Sequence, residues 1–141
     1  MDKIERILKT VEILDDHAHS VQKVSPSGAA GIAVTSGAGA WNLGAFSADI
    51  IAAGAVALPF DIHGVDIENP DANAEYELVL YYGAADTEAG RCTFARTNAI
   101  TISRSTSMQT PLIPAGSRVR AKLMDSAGAA SITIKIWFHT Y

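Results

Sequence analysis

Ser131-Ile132-Thr133-Ile134-Lys135-Ile136-Trp137-Phe138-His139-Thr140-Tyr141 places Ile132, Ile134, Ile136 and Phe138 on one side of an extended chain and Lys135, Trp137, His139 and Tyr141 on the other. Alternation with a period of two specifies a β-strand whose apolar face enters a core. The nominally wet face is unusual, because it carries a row of aromatic rings. Such a row signals burial against another layer, a subunit or a ligand. Lys135, Trp137, His139 and Tyr141 are therefore the candidate interface or ligand face, with a subunit interface favoured and sugar stacking on Trp137 as the alternative.

The same period recurs upstream. Arg118-Val119-Arg120-Ala121-Lys122-Leu123 alternates with its basic residues outward. Ile100 and Ile102 alternate with hydroxyl residues in a stretch that runs to Met108. Arg91 to Arg96 turns Cys92 and Phe94 inward, and Glu75 to Tyr82 forms another strand before a Gly83–Gly90 loop. In Phe60–Glu68 the step from Ile62 to Val65 is three, so both face the core only if one residue bulges, and Gly64 is the expected place. Trp41 to Ile51 alternates loosely among Gly and Ala. Seven strands result, with Ala30–Thr35 as an eighth, and this spacing of short strands and turns specifies a sandwich or barrel.

The amino-terminal segment has a different period. Ile4, Ile7, Val11, Leu14, Ala18 and Val21 follow steps of three and four, the a/d seam of a heptad helix. Asp2 is placed to cap it, and Asp2–Arg6 and Glu5–Lys9 are favourable i,i+4 pairs. The helix is expected to run to residues 20–24 and to stop before Pro26. A helix this short is marginal alone, so its stripe needs cover. Isoleucine at both a and d of the first heptad favours a trimer or larger assembly over a dimer. The competing expectation is a helix lying on its own β-domain or on another protein. The resulting architecture is all-β, an antiparallel β-sandwich (residues 28–141) preceded by a short coiled-coil-like oligomerising α-helix and linker (1–27).

Charge is segregated along the chain. Residues 25–90 hold nine acidic side chains and no Lys or Arg, whereas residues 91–141 hold seven basic ones and only Asp125 as an acid. Pairing across a sheet accounts for this, and complementary surfaces between molecules are the sharper alternative. An acidic chain without a dense basic stripe does not suit nucleic acid. The longest apolar run, Ile50–Phe60, spans 11 residues and contains Gly54 and Pro59, too short for a membrane span. Five acids before residue 17 argue against a signal peptide, and the single Cys92 suits a reducing compartment.

No catalytic constellation emerges. Phosphate-cradle, nucleophile-elbow and zinc-protease motifs are missing, and Ser36-Gly37-Ala38-Gly39 lacks phosphate-loop spacing. His17 and His19 diverge on a helix. His63 and His139 have no acid or cysteine at a recognisable ligand spacing, so no metal and no cofactor is expected. The carboxylates Asp66/Glu68 and Glu75/Glu77 sit at outward strand positions, and Cys92 is expected to be a buried, inert thiol.

The stretches Tyr76-Glu77-Leu78-Val79-Leu80-Tyr81-Tyr82-Gly83 and Thr110-Pro111-Leu112-Ile113-Pro114-Ala115-Gly116-Ser117-Arg118, with the Ile/Thr-rich closing strand, resemble virion β-modules. With the short leading helix and small-residue linker, the chain resembles the capsid decoration (cement, head-stabilising) proteins of tailed bacteriophages. The resemblance implies a trimeric, jelly-roll-like, non-enzymatic module. Its partners would be itself and the major capsid protein lattice. It would be made in the host cytoplasm and lie on the capsid surface of the virion. No functional residue carries over from it. The alternative is a trimeric receptor- or glycan-binding tip module of a phage tail or head fibre, with Trp137, Tyr141 and loop carboxylates as its site.

Overall fold

A computed structural model describes residues 2–19, 21–28, 30–97 and 104–141, with side chains excepted at 13–19 and 104. Among the described residues one helix, α1 (Lys3–His19), precedes eight strands: β1 (Lys23–Ser25), β2 (Ile32–Thr35), β3 (Phe60–Glu68), β4 (Ala74–Tyr82), β5 (Thr87–Arg96), β6 (Arg104–Ser107), β7 (Val119–Asp125) and β8 (Ser131–Thr140). All strand pairs are antiparallel. One sheet runs β1-β8-β3-β6 with β2 also on β8, and the other runs β5-β4-β7. The fold is thus the expected all-β, jelly-roll-like sandwich with a short leading helix.

The core lies between the sheets. From the first sheet Phe60, Ile62, Val65, Ile67, Ile132, Ile134, Ile136 and Phe138 point inward, and Tyr76, Leu78, Leu80, Val119, Ala121 and Leu123 meet them from the second. Each large apolar side chain so buried contributes about 1.5–3 kcal/mol. The inward set of β8 is the one its alternation predicts. Cys92 and Phe94 also face inward, and Phe94 stacks on Tyr76 with ring centroids 4.9 Å apart.

The closing strand is long enough to hold two short partners end to end. β2 pairs with Ser131–Ile134 and β1 with Ile136–Phe138. The sheet therefore begins at Lys23, inside the 1–27 segment expected to be helix and linker. Val21, expected on the seam, lies beyond the end of α1 and is 76% exposed.

Trp41–Ile51 is not a strand. The amides of Trp41, Gly44, Ser47 and Ile50 donate to the carbonyls of Asp125, Leu123, Ala121 and Val119. Three residues of this segment thus match two of β7. Two strand residues rise about 6.7 Å, so the segment advances only about 2.2 Å per residue, well short of extended chain. It covers the free edge of β7 without forming a ladder. Phe46 anchors it, edge-on to Tyr81 at 5.1 Å with the Arg120 guanidinium 3.8 Å and Lys122 Nζ 4.2 Å from its ring centroid.

Across the second sheet, the segregated charges meet as pairs within the molecule. Asp86, in the tight β4–β5 turn, accepts from Arg118, the residue before β7, and from Arg120 of β7. The Arg120 hydrogen bond, followed by the charge of Arg118, holds its carboxyl below the usual range. Arg91 reaches Glu77 at 2.9 Å and Glu88 at 2.5 Å. The expected Gly83–Gly90 loop is shorter than read, since β5 already begins at Thr87.

Candidate functional site

The outer face of β3 and β8 gathers the polar residues of most chemical interest. Register places Asp61 opposite His139 and Ile62 opposite Phe138, then skips to Gly64 opposite Trp137. The skipped residue is His63. The expected bulge is therefore real, but the extra residue precedes Gly64. Phe60 and Phe138 lock the two strands from the core side, with ring centroids 5.7 Å apart.

At the bulge, His63 shares the outer face of β3 with Asp61. His63 Nε2 lies 2.7 Å from Asp61 Oδ1, and the Tyr141 hydroxyl donates to Asp61 Oδ2 at 2.8 Å. Asp61 is 8% exposed. The His63 and His139 rings stand edge to face with centroids 4.4 Å apart. One ligand atom from each of Asp61, His63 and His139 falls within 4.8 Å of the others. Burial and then the adjacent Asp61 carboxylate push the Tyr141 phenol well above its ordinary value, so it remains a donor at any physiological pH.

Beside His63 opens a shallow groove of about 300 Å³, lined by Gln22, Gly64, Ser105, Thr106, Ser107 and Trp137. Of the four residues read as a candidate face, Trp137 thus borders the groove, and His139 and Tyr141 join the Asp61 cluster. Lys135 lies apart from both. It stands opposite Asp66, and its Nζ donates to the Gly28 carbonyl at 2.7 Å. Asp66 itself accepts from Ser105 Oγ at 2.5 Å.

Sequence reading missed Asp61 and His63 as a site. The only local signal is their i,i+2 spacing on one face of a strand; the third member is 76 positions further along and reaches them only through strand register.

The amino-terminal seam forms the second feature. Asp2 and Glu5 cap α1 reciprocally, with Glu5 N–H donating to Asp2 Oδ1 at 2.8 Å and Asp2 N–H to Glu5 Oε2 at 3.0 Å. Ile4, Ile7 and Val11 are 69%, 54% and 54% exposed, and Leu8 beside them is 57% exposed. The side chains of Leu14 and Ala18, like those of His17 and His19, lie outside the described residues.

Cys92 is buried, and desolvation followed by the nearby Glu77 charge pushes its thiol up to about 11. Ser36-Gly37-Ala38-Gly39 forms part of a turn against the β7–β8 hairpin. There Gly37 N–H donates to the Asn42 carbonyl and Ala129 N–H to that of Gly37.

No family model matches the chain. No curated protein matches it either. Among solved structures it is similar to a carbohydrate-binding module from Cellvibrio mixtus lichenase 5A in complex with cellotriose, at 16% identity and a TM-score of 0.43, covering 90% of this chain and 93% of that one. It is also similar to a structure of infectious bursal disease virus Gt strain, at 11% identity and a TM-score of 0.42, covering 86% of this chain. The chain spans only 32% of that viral protein's length. Likenesses this distant concern the β-sandwich and carry nothing about function.

Proposed function

We propose that this protein is a non-enzymatic structural module of a virion. It associates through α1 into a homotrimer, docks on an assembled capsid and stabilises it by bridging neighbouring coat subunits. The observation that carries this reading is the exposed apolar stripe of Ile4, Ile7, Leu8 and Val11 on a well-capped helix. Water-facing apolar side chains at helical spacing mark an interface, and the heptad steps of Ile4, Ile7 and Val11 suit a second copy of the same helix. Isoleucine at a and d favours three strands. A trimer on a lattice with matching symmetry engages several subunits together, so weak individual contacts hold firmly.

Cosedimentation with tailed-phage heads stripped of decoration tests the proposal. The full chain is expected to pellet with the heads and to raise the temperature at which they open. An Ile7→Asp/Val11→Asp variant, which cannot bury the stripe, is expected to stay in the supernatant. Equal pelleting of both chains would remove α1-driven trimerisation from the account.

The groove at Trp137 favours a second reading, a glycan- or receptor-binding tip. An indole beside the Gln22 amide and the hydroxyls of Ser105, Thr106 and Ser107 offers a stacking surface with adaptable hydrogen bonds. A glycan array distinguishes the two. Selective glycan binding abolished by Trp137→Ala, without head binding, would put this reading first.

A further inference from the structure

The geometry points to a binding site for a divalent transition-metal ion formed by Asp61, His63 and His139 on the outer face of β3 and β8. This inference stands independently of α1 and of the capsid reading.

Three observations combine. First, the donors are two imidazoles and one carboxylate, the set that suits Zn²⁺ and its neighbours rather than Mg²⁺ or Ca²⁺. Second, the donor atoms already lie within 4.8 Å of one another. An ion with bonds of about 2.0–2.1 Å would hold tetrahedral ligands about 3.3 Å apart. The 2.7 Å contact of His63 with Asp61 would open slightly and the longest separation would close, both within reach of side-chain rotation. Third, the carboxylate is oriented from behind. Tyr141 donates to Asp61 Oδ2 and leaves Oδ1 directed at His63, which is the role of an outer partner in metal sites.

Backbone pairing makes the arrangement rigid. Asp61 and His139 are direct partners across an antiparallel ladder, and the bulge at His63 supplies the third donor. A bulge costs ladder pairing, and such features commonly re-aim a side chain. On binding, the neutral His63 ring carries its one proton on Nδ1 and offers unprotonated Nε2 to the ion beside Asp61 Oδ1, so the ion replaces the hydrogen between these two atoms. Three protein ligands leave a fourth position, and the Trp137 groove that His63 borders provides access for water or a partner's donor. The bound ion would tie the end of β8 to β3.

The test titrates Zn²⁺ alone into the full chain by calorimetry. One ion per chain is expected, with affinity weakened at least about tenfold in His63→Gln and in His139→Gln. A His17→Gln/His19→Gln variant is expected to bind as the unaltered chain does. Absence of saturable binding in the unaltered chain would overturn the proposal, as would binding retained in both strand variants or lost in the helix variant. Should a strand variant fail to fold, Co²⁺ added to the unaltered chain decides. Paramagnetic broadening that begins at the His63 and His139 ring signals supports the site, and broadening centred elsewhere refutes it.

Discussion

Ser36 Oγ donates a 2.5 Å hydrogen bond to the fully buried carboxylate of Asp125, joining the residue after β2 to the end of β7. The other oxygen of Asp125 accepts from the amides of Ala127 and Gly128, and Ser36 Oγ in turn accepts from Ala130 N–H. One acid thus closes the β7–β8 turn and pins it to β2. Burial alone would raise this carboxyl. The donors from Ser36, Gly128, Ala127 and Ala130 outweigh burial and hold it below its ordinary value.

Asp125→Ala removes the acceptor of these donors, and a donor left away from water, as at buried Ser36, costs about 1–3 kcal/mol. A net loss of about 3 kcal/mol is expected, read as a fall of about 10 °C in thermal midpoint. The pH dependence has a definite sign. Because the native carboxyl is depressed, its contribution is fully present above the unfolded value of about 3.9 and is lost as pH falls from there through the lower native value. Thermal melts from pH 6 down to pH 2 should show a steeper acid fall for the unaltered chain than for Asp125→Asn, which is weaker at neutral pH. Parallel curves would show that Asp125 is not the group responsible.

The segment 41–51 depends on close backbone approach. A Cβ on Gly44 would stand 1.9 Å from the Thr35 carbonyl oxygen, whereas one on Gly64 meets nothing nearer than 3.5 Å. Gly44→Ala should therefore cost about 2–3 kcal/mol and Gly64→Ala less than about 1 kcal/mol, measured by urea unfolding. Native-state hydrogen exchange should show slow amides recurring every third residue, at Gly44, Ser47 and Ile50. Alternate-residue protection would mean that the segment is an ordinary strand after all.

Cys92 should be chemically silent in the native protein. With its thiol pushed up to about 11, only about one molecule in a thousand carries the thiolate at pH 8, against about a quarter for a free cysteine. Burial slows access further. Iodoacetamide labelling followed by mass spectrometry should be at least about a hundredfold slower in the folded chain than in urea. Comparable rates would place Cys92 outside the core.

The legibility of the fold follows its periodicity. β8 is read correctly because Ile132, Ile134, Ile136 and Phe138 share one inner face, and a shift of one residue would expose all four. The same logic locates the inward residues of β3 on both sides of its bulge. It errs by one position, because Gly64 looks like the irregular residue while the extra one is His63. β1 escapes notice because Lys23-Val24-Ser25 is too short to show alternation. Trp41–Ile51 misleads because an edge cover has strand-like composition and a different rise. The Asp61–His63–His139 cluster is hidden for a deeper reason. Its members meet only when β3 and β8 pair in one register, and no local pattern encodes that register.

Light scattering on the full chain, alongside the Ile7→Asp/Val11→Asp variant, decides whether α1 assembles the molecule. The mass of three chains is expected for the first and of one chain for the second, with unchanged far-ultraviolet circular dichroism from the sandwich. A single-chain mass for the unaltered protein at high concentration, or a trimer that survives both substitutions, would contradict α1-driven assembly.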